Sequence, residues 1–214
     1  EILQHRTKQR SGKVHLKRLY RVALNEPRVF KRRLHTEVRT TSIAFSLLVD
    51  VSGSMCGVPA IQAAKTTVVL LETAKRLRIP VEVILFTHMP SVAKKSLEVL
   101  SRTQEDKMAG AIGWHRDGGT NTPRAIEASN LRYSPKPYRF MCIITDGNDN
   151  GDAIRSKLQD IPAVIPYQLA VNNGSLYLPK EYATEVKEVS ALPQVLAEAV
   201  YKAVRGDIKP FAER

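Results

Sequence analysis

The chain has 214 residues, of which 43% are hydrophobic and 25% are charged, so its composition excludes wholesale disorder. It lacks an apolar run of the roughly 20 residues that a membrane-spanning helix needs. Two cysteines are too few for a disulfide framework, and the polar, basic first residues do not form a secretory signal. We therefore expect an intracellular, cytoplasmic protein with no membrane association.

The net charge of +12 is concentrated near the N-terminus. Residues 1–41 hold 12 basic and 3 acidic side chains, whereas residues 42–214 hold 21 and 18. We interpret residues 1–41 as a basic arm, residues 42–206 as the globular domain and residues 207–214 as a C-terminal tail. A basic arm attracts polyanions such as nucleic acid, although a solvated basic surface without a partner explains the charge equally well.

The arm contains two predicted elements. Leu16, Leu19, Tyr20 and Ala23 repeat at helical spacing, which predicts a short amphipathic helix that ends before Pro27. The alternating stretch from residue 34 to 38 indicates an edge strand.

In the globular domain, predicted strands and helices alternate along the chain. Residues 43–49 are apolar on both faces, as in a central strand that helices cover on each side. The pattern predicts further strands at residues 81–86, 139–145, 164–171 and 184–189, and helices at about 59–78, within 96–112, and at 122–131, 152–159 and 192–204. This alternation predicts a doubly wound, Rossmann-like α/β fold with a mostly parallel sheet and helices on both faces.

Three predicted loops carry small polar residues at strand ends or helix starts. Asp50-Val-Ser-Gly-Ser follows the first strand, Thr120 lies in Gly-Gly-Thr-Asn before a helix, and Asp146 ends the strand Ile-Ile-Thr-Asp-Gly. Ligands of an open α/β sheet bind beyond the carboxyl ends of its strands. We therefore expect Asp50, Ser52, Ser54, Thr120 and Asp146 to form one site.

The donors of this site are three hydroxyls and two carboxylates, all oxygen atoms. Such a set suits Mg²⁺, or Mn²⁺ as an alternative, since both prefer oxygen ligands in octahedral geometry. Only two of the donors carry charge, so the bound cation would accept a further carboxylate. A protein partner that presents an acidic side chain would complete the coordination.

Ordinary structural roles compete with metal binding at several positions. Ser52 and Ser54 are suited to capping the following helix, because serine favours helix N-termini. Thr122 directly precedes Pro123, so we interpret Thr122 as an N-cap, which leaves Thr120 as the ligand. Three further acids, Asp117, Asp149 and Asp152, flank the same face; they would either add negative potential there or lie in solvated loops, and we favour solvated loops.

The sequence offers no catalytic residues of its own. It contains no nucleophile elbow, no Gly-Lys-Ser/Thr phosphate loop and no pair of histidines at metal-binding spacing. Whether the chain is a subunit of an enzyme stays open on these patterns alone.

The order and placement of the site residues resemble the metal-ion-dependent adhesion site of von Willebrand factor A (vWA) domains. Residues 11–22, 29–31, 47–55 and 81–87 further resemble the C-terminal region of CobT, the A-domain subunit of cobaltochelatase. The resemblance implies a Mg²⁺-dependent, non-catalytic protein-binding module. It also implies an AAA+ ATPase partner of the MoxR or CobS type, assembly into an oligomeric ring, and a role in metal insertion into a tetrapyrrole or in remodelling of protein complexes.

Two other functions are compatible with the sequence. The basic arm would allow nucleic-acid binding, which would weaken with salt and survive removal of divalent cations. Adhesion to extracellular matrix, which many vWA domains perform, is the other alternative.

Overall fold

The computed structural model describes most of the chain, and the statements below concern residues 2–9, 13–14, 30–36, 43–77, 79–96, 98–113, 118–147, 149–161, 163–171, 174–186, 191–205 and 207–211. The chain divides into two units, Glu1–Thr40 and Thr41–Arg214. The helix predicted around residues 16–23 lies outside the described residues.

The first unit contains a small antiparallel sheet. Its strands are β1 (Ile2–Gln9), β2 (Lys13–Val14) and β3 (Phe30–Thr36), in the order β1-β3-β2. The sequence indicated an edge strand over residues 34–38, but β3 pairs with a strand on each side and is the central strand of this sheet. The sequence pattern did not predict β1, because its eight residues include only two apolar side chains.

The second unit is built on a six-stranded sheet in the order β6-β5-β4-β7-β8-β9. Neighbouring strands are parallel except at the β5–β6 edge, where a tight turn makes the pair antiparallel. The strands are β4 (Ile43–Asp50), β5 (Val81–Phe86), β6 (Pro90–Lys94), β7 (Tyr138–Thr145), β8 (Val164–Val171) and β9 (Ala183–Val186).

Among the described residues, five α-helices cover this sheet in two layers. They are α1 (Val58–Leu77), α2 (Arg102–Gly113), α3 (Thr122–Ala128), α4 (Gly151–Gln159) and α5 (Leu192–Arg205). Helix α1 packs against α2 and α5, whereas α3 packs against α4. The mostly parallel sheet and its helices confirm the predicted doubly wound α/β class. Within the described residues, no helix combines the length and the apolar character that crossing a membrane requires.

The direction of winding reverses beside β4. From β4 the chain passes through α1 to β5, toward the β6 edge of the sheet. From β7 it passes through α4 to β8, toward the opposite, β9 edge. Because parallel crossovers are right-handed, these two connections place α1 and α4 on opposite faces. The crevice of a doubly wound sheet lies at such a reversal, beyond the strand ends. Here it lies between the carboxyl ends of β4 and β7.

Candidate metal centre

Asp50 is the last residue of β4, and its side chain is fully buried. Its Oδ1 accepts a 2.9 Å hydrogen bond from Ser52 N, and its Oδ2 accepts a 2.7 Å hydrogen bond from Thr145 Oγ1. Burial raises the pKa of Asp50 above its ordinary value; the hydrogen bonds from Ser52 and Thr145 oppose this, and the carboxylate of Asp146 adds to the increase. A nearby cation would therefore stabilise the ionised form of Asp50.

Three hydroxyls converge next to this carboxylate. Ser52 Oγ lies 3.1 Å from Ser54 Oγ and 3.3 Å from Thr120 Oγ1, and Thr120 Oγ1 lies 3.4 Å from Asp50 Oδ2. Adjacent ligands of an octahedral Mg²⁺ ion, each about 2.1 Å from the metal, are about 3 Å apart. The observed oxygen–oxygen distances are close to that spacing.

The capping alternative for Ser52 is not what the structure shows. Ser52 precedes a short 3₁₀ turn, Gly53–Met55, and its side chain makes no cap hydrogen bond there. Helix α1 begins only at Val58, beyond this turn. The Ser52 hydroxyl instead faces the hydroxyls of Ser54 and Thr120.

Asp146 follows β7 and is half-buried at the same edge of the sheet. Its Oδ1 is buried and has no hydrogen-bond partner within the described part of the chain. A buried carboxylate oxygen without a partner is costly, and the neighbouring charge of Asp50 increases that cost. A divalent cation would offset both costs, so these residues fit a Mg²⁺ ion.

Most of the candidate donors at this crevice are uncharged, so the site does not stand out as a cluster of charged side chains. The described residues contain no cluster of three or more His, Cys, Asp or Glu side chains that would hold a metal. Neutral hydroxyls from Ser52, Ser54 and Thr120 make up most of the donors. With five donors in place, a Mg²⁺ ion bound here would have one of its six octahedral positions left for a further ligand.

The interpretation of Thr122 as an N-cap was wrong. Asn121 is the N-cap of α3, because its side-chain oxygen accepts a 3.1 Å hydrogen bond from Arg124 N. Thr122 is the first helical residue, and its buried Oγ1 has no hydrogen-bond partner among the residues that the structure describes. Asparagine and threonine are both good caps, and the sequence alone did not show which of the two starts the helix.

Asp149 has a structural role that the sequence interpretation missed. Asp149 Oδ2 accepts a hydrogen bond from Thr122 N, and Asp149 N donates to Tyr177 Oη. The carboxylate therefore joins the loop after β7 to the first turn of α3, two residues after Thr120. Asp149 is half-buried rather than fully solvated.

The loop after β8 supports Asp146 from the other side. A Cβ atom on Gly174 would lie 2.2 Å from Asp146 O, so only glycine fits at this position. Buried Gln168 holds the loop, since its Nε2 donates to Ser175 O and its Oε1 accepts from Tyr177 N, both at 2.8 Å. The only sequence signal for this role of Gly174 is its position shortly after a predicted strand, at the edge of the sheet where the crevice lies.

A cleft of about 380 Å³ lies beside this loop. Gly147, Asp149, Ser175 and Tyr177 line it. Gly147 adopts a φ of 76°, which favours glycine, and a Cβ there would lie 2.7 Å from Ser175 N and O. The backbone of the Asp146 turn is thus tightly packed against the loop of Ser175.

Comparisons with known proteins agree with this fold. Residues 29–114 match the profile of the family described as "Cobalamin biosynthesis protein CobT VWA domain". A comparison with curated proteins returned no match.

Several solved structures are similar in fold to most of the chain. A von Willebrand factor type A protein from Catenulispora acidiphila superposes with a TM-score of 0.59 at 16% identity, covering 75% of this chain and 42% of its own. Proximal thread matrix protein 1 from the mussel byssus superposes with a TM-score of 0.59 at 15% identity, covering 75% of this chain and 47% of its own. The conserved hypothetical protein BatB from Bacteroides thetaiotaomicron superposes with a TM-score of 0.57 at 12% identity, covering 76% of this chain and 99% of its own. The chain spans less than half the length of the first two.

The chain has the fold of the class of proteins described as von Willebrand factor type A. Within that class, the chain is similar to the C-terminal vWA domain of the CobT family, and the matched profile covers less than half of its length.

Proposed function

We propose that the chain is a Mg²⁺-dependent protein-binding module in which Asp50, Ser52, Ser54, Thr120 and Asp146 hold the cation. The observation that carries the proposal is the convergence of the three hydroxyls at 3.1 and 3.3 Å next to the Asp50 carboxylate. Bound there, the cation would act as a Lewis acid that accepts a carboxylate oxygen from the partner.

The protein's own residues orient this site. Thr145 and the Ser52 backbone fix the direction of the Asp50 carboxylate. Asp149 and the loop of Gly174 fix the two remaining ligand-bearing segments. Five donors leave one octahedral position open, and Mg²⁺ prefers a hard oxygen donor there, such as a carboxylate of the partner.

The proposed partner is an AAA+ ATPase of the MoxR or CobS type, or the client of such an ATPase. The similarity to the CobT vWA domain supports this choice over other partners. In this proposal the chain is a non-catalytic subunit that works within an oligomeric ring. The complex would insert a metal into a tetrapyrrole or remodel a protein complex.

Co-purification from a lysate of the source organism tests this function. Three co-purifications are compared: wild-type chain in Mg²⁺, wild-type chain in EDTA, and the Asp50→Asn variant in Mg²⁺. The matched control is Asp152→Asn, which removes an exposed carboxylate that pairs with Arg155 on α4. We expect an AAA+ ATPase to be captured only by wild type and Asp152→Asn in Mg²⁺.

A different capture pattern would contradict the proposal. Equal capture of the same proteins by Asp50→Asn, or in EDTA, would separate binding from the cation site. Nucleic acid captured in all conditions would assign function to the basic residues of the first 41 positions, since that binding depends on salt rather than on Mg²⁺.

A further inference from the structure

The rim of the proposed cation site carries an arginine and a methionine in mutual contact on the side of Thr120. Arg124 Nη1 lies 3.0 Å from Met89 Sδ. Both side chains are exposed, Met89 by 61%. Arg124 lies in the first turn of α3, and Met89 lies in the turn between β5 and β6.

Hydrogen bonds join the segments that carry Arg124 and Met89 to the segment of Thr120. Asn121 N donates a 2.9 Å hydrogen bond to Thr87 O, which joins the start of α3 to the β5–β6 turn. The side chain of Asn121 also accepts from Arg124 N at 3.1 Å. The backbone of Arg124 and the turn that carries Met89 are therefore joined to the segment that carries Thr120.

The charge of Arg124 is not neutralised by a salt bridge with any acid in the described ranges. A thioether is a weak acceptor, so the guanidinium keeps most of its donors for another group. Glu127, the next acid along α3, pairs with Lys157 at 2.5 Å. Arg155 differs from Arg124, because it pairs with Asp152 at 2.8 Å.

We infer that Arg124 and Met89 form a second docking point for an acidic protein segment that carries two carboxylates. One carboxylate completes the coordination of the cation, and the other binds Arg124, whose planar fork suits a carboxylate. Met89 covers the apolar part of the same segment. The inference rests on the proposed function, since it takes the first carboxylate to be bound by the cation.

Binding of defined peptides to the full chain tests this arrangement. Synthetic Gly/Ser peptides carry no Glu, one Glu, or two Glu at varied separations, and are immobilised at equal density for interferometry in Mg²⁺ and in EDTA. We expect the best two-Glu peptide to bind about fivefold more tightly than the one-Glu peptide in Mg²⁺, the effect of one exposed ion pair.

Variants of the chain assign that gain to the arginine. Arg124→Gln should remove the fivefold preference for two Glu residues and leave binding of the one-Glu peptide unchanged, whereas Arg124→Lys should keep part of it. Arg102→Gln, which removes the same charge from the exposed start of α2, should keep all of it.

The outcomes separate this inference from the proposed function. Equal Mg²⁺-dependent binding of one-Glu and two-Glu peptides to wild type overturns the second docking point and leaves the cation site supported. A preference for two Glu residues that Arg124→Gln retains also overturns it. Absence of any Mg²⁺-dependent binding overturns the proposed function, and the inference with it.

Discussion

Thr145 Oγ1 donates a 2.7 Å hydrogen bond to Asp50 Oδ2 and accepts a 3.1 Å hydrogen bond from Gly147 N. One hydroxyl thus connects the carboxyl end of β4 to the turn after β7. Both Thr145 and Asp50 are fully buried, so water does not take the place of either bond. The direction of the Asp50 carboxylate therefore depends on a residue that is not one of the proposed ligands.

Replacing Thr145 with Val should weaken Mg²⁺ binding about tenfold, as loss of a residue that orients a ligand commonly does. The variant should also lose about 1–3 kcal/mol of stability, because Asp50 Oδ2 and Gly147 N lose a buried partner. Calorimetric titration with Mg²⁺ and urea unfolding measure the two effects. Thr67→Val is the control, since Thr67 is equally buried but bonds Ala63 O within α1. Equal Mg²⁺ affinities for the two variants would contradict the prediction.

Asp146→Asn should have opposite effects with and without Mg²⁺. Without Mg²⁺, the variant should unfold at a higher temperature than wild type, because the repulsion between Asp146 and Asp50 is removed. With Mg²⁺ at 100 times its Kd, wild type should gain about 2.7 kcal/mol and the variant much less. Thermal unfolding across a Mg²⁺ series measures both. A variant that keeps the wild-type Mg²⁺ response shows that Asp146 is not a ligand.

Gly174→Ala should destabilise the domain by about 1–3 kcal/mol, since the added methyl group would overlap Asp146 O and force the backbone to move. The displacement of Asp146 should weaken Mg²⁺ binding at the same time. Gly110→Ala in α2 is the matched control: a Cβ there meets nothing within 4 Å, and alanine should stabilise the helix by up to about 1 kcal/mol. Urea unfolding of both variants measures the difference, and an equally tolerated Gly174→Ala would disprove the tight contact.

Buried Lys94 should give the domain a stability that rises with pH. Its Nζ donates to Val81 O and Lys95 O, and burial lowers its pKa from 10.5, an effect that Glu98 and Glu82 oppose. The folded state therefore releases this proton at a lower pH than the unfolded state. Between those two pKa values the unfolded chain binds more protons, so the free energy of unfolding increases with pH.

Comparison with a Lys94→Met variant isolates this effect. As the pH rises toward 10.5, the ordinary pKa of lysine, wild type should gain stability relative to Lys94→Met. Lys95→Met is the control, because the side chain of Lys95 is exposed. The difference in the free energy of unfolding between wild type and Lys95→Met should not change over this pH range. Urea unfolding at several pH values measures both differences, and parallel curves for the two variants would refute the prediction.

The main elements of the second unit were predictable from sequence for a physical reason. Strands of a parallel sheet are buried on both faces, so β4, β7 and β8 appear as mostly apolar runs without the alternation of a half-exposed strand. Strand β6 was not predicted, because it is a five-residue edge strand that starts at a proline and exposes Ser91 and Val92.

The site was predictable where its residues lie close to a strand end or to the start of a helix. Asp50 ends one apolar strand and Asp146 follows another, and the parallel arrangement brings those ends together, as the structure shows. The contact of Asp149 with Thr122 joins residues 27 positions apart, and the fit of Gly174 against Asp146 depends on backbone packing. Neither contact leaves a local sequence pattern. Metal binding by the five residues stays a prediction.

The position of the site in the sheet determines how a pull on the bound partner would be carried. Asp50 ends β4 and Asp146 follows β7, which are adjacent strands in the middle of the six-stranded sheet. Tension applied at the cation would run lengthwise along both strands. The hydrogen bonds that join β4 to β5 and β7 over most of its length would then be loaded together in shear. An edge strand pulled sideways would lose its bonds one after another. The crevice would thus be a mechanically firm attachment point for the proposed ATPase partner.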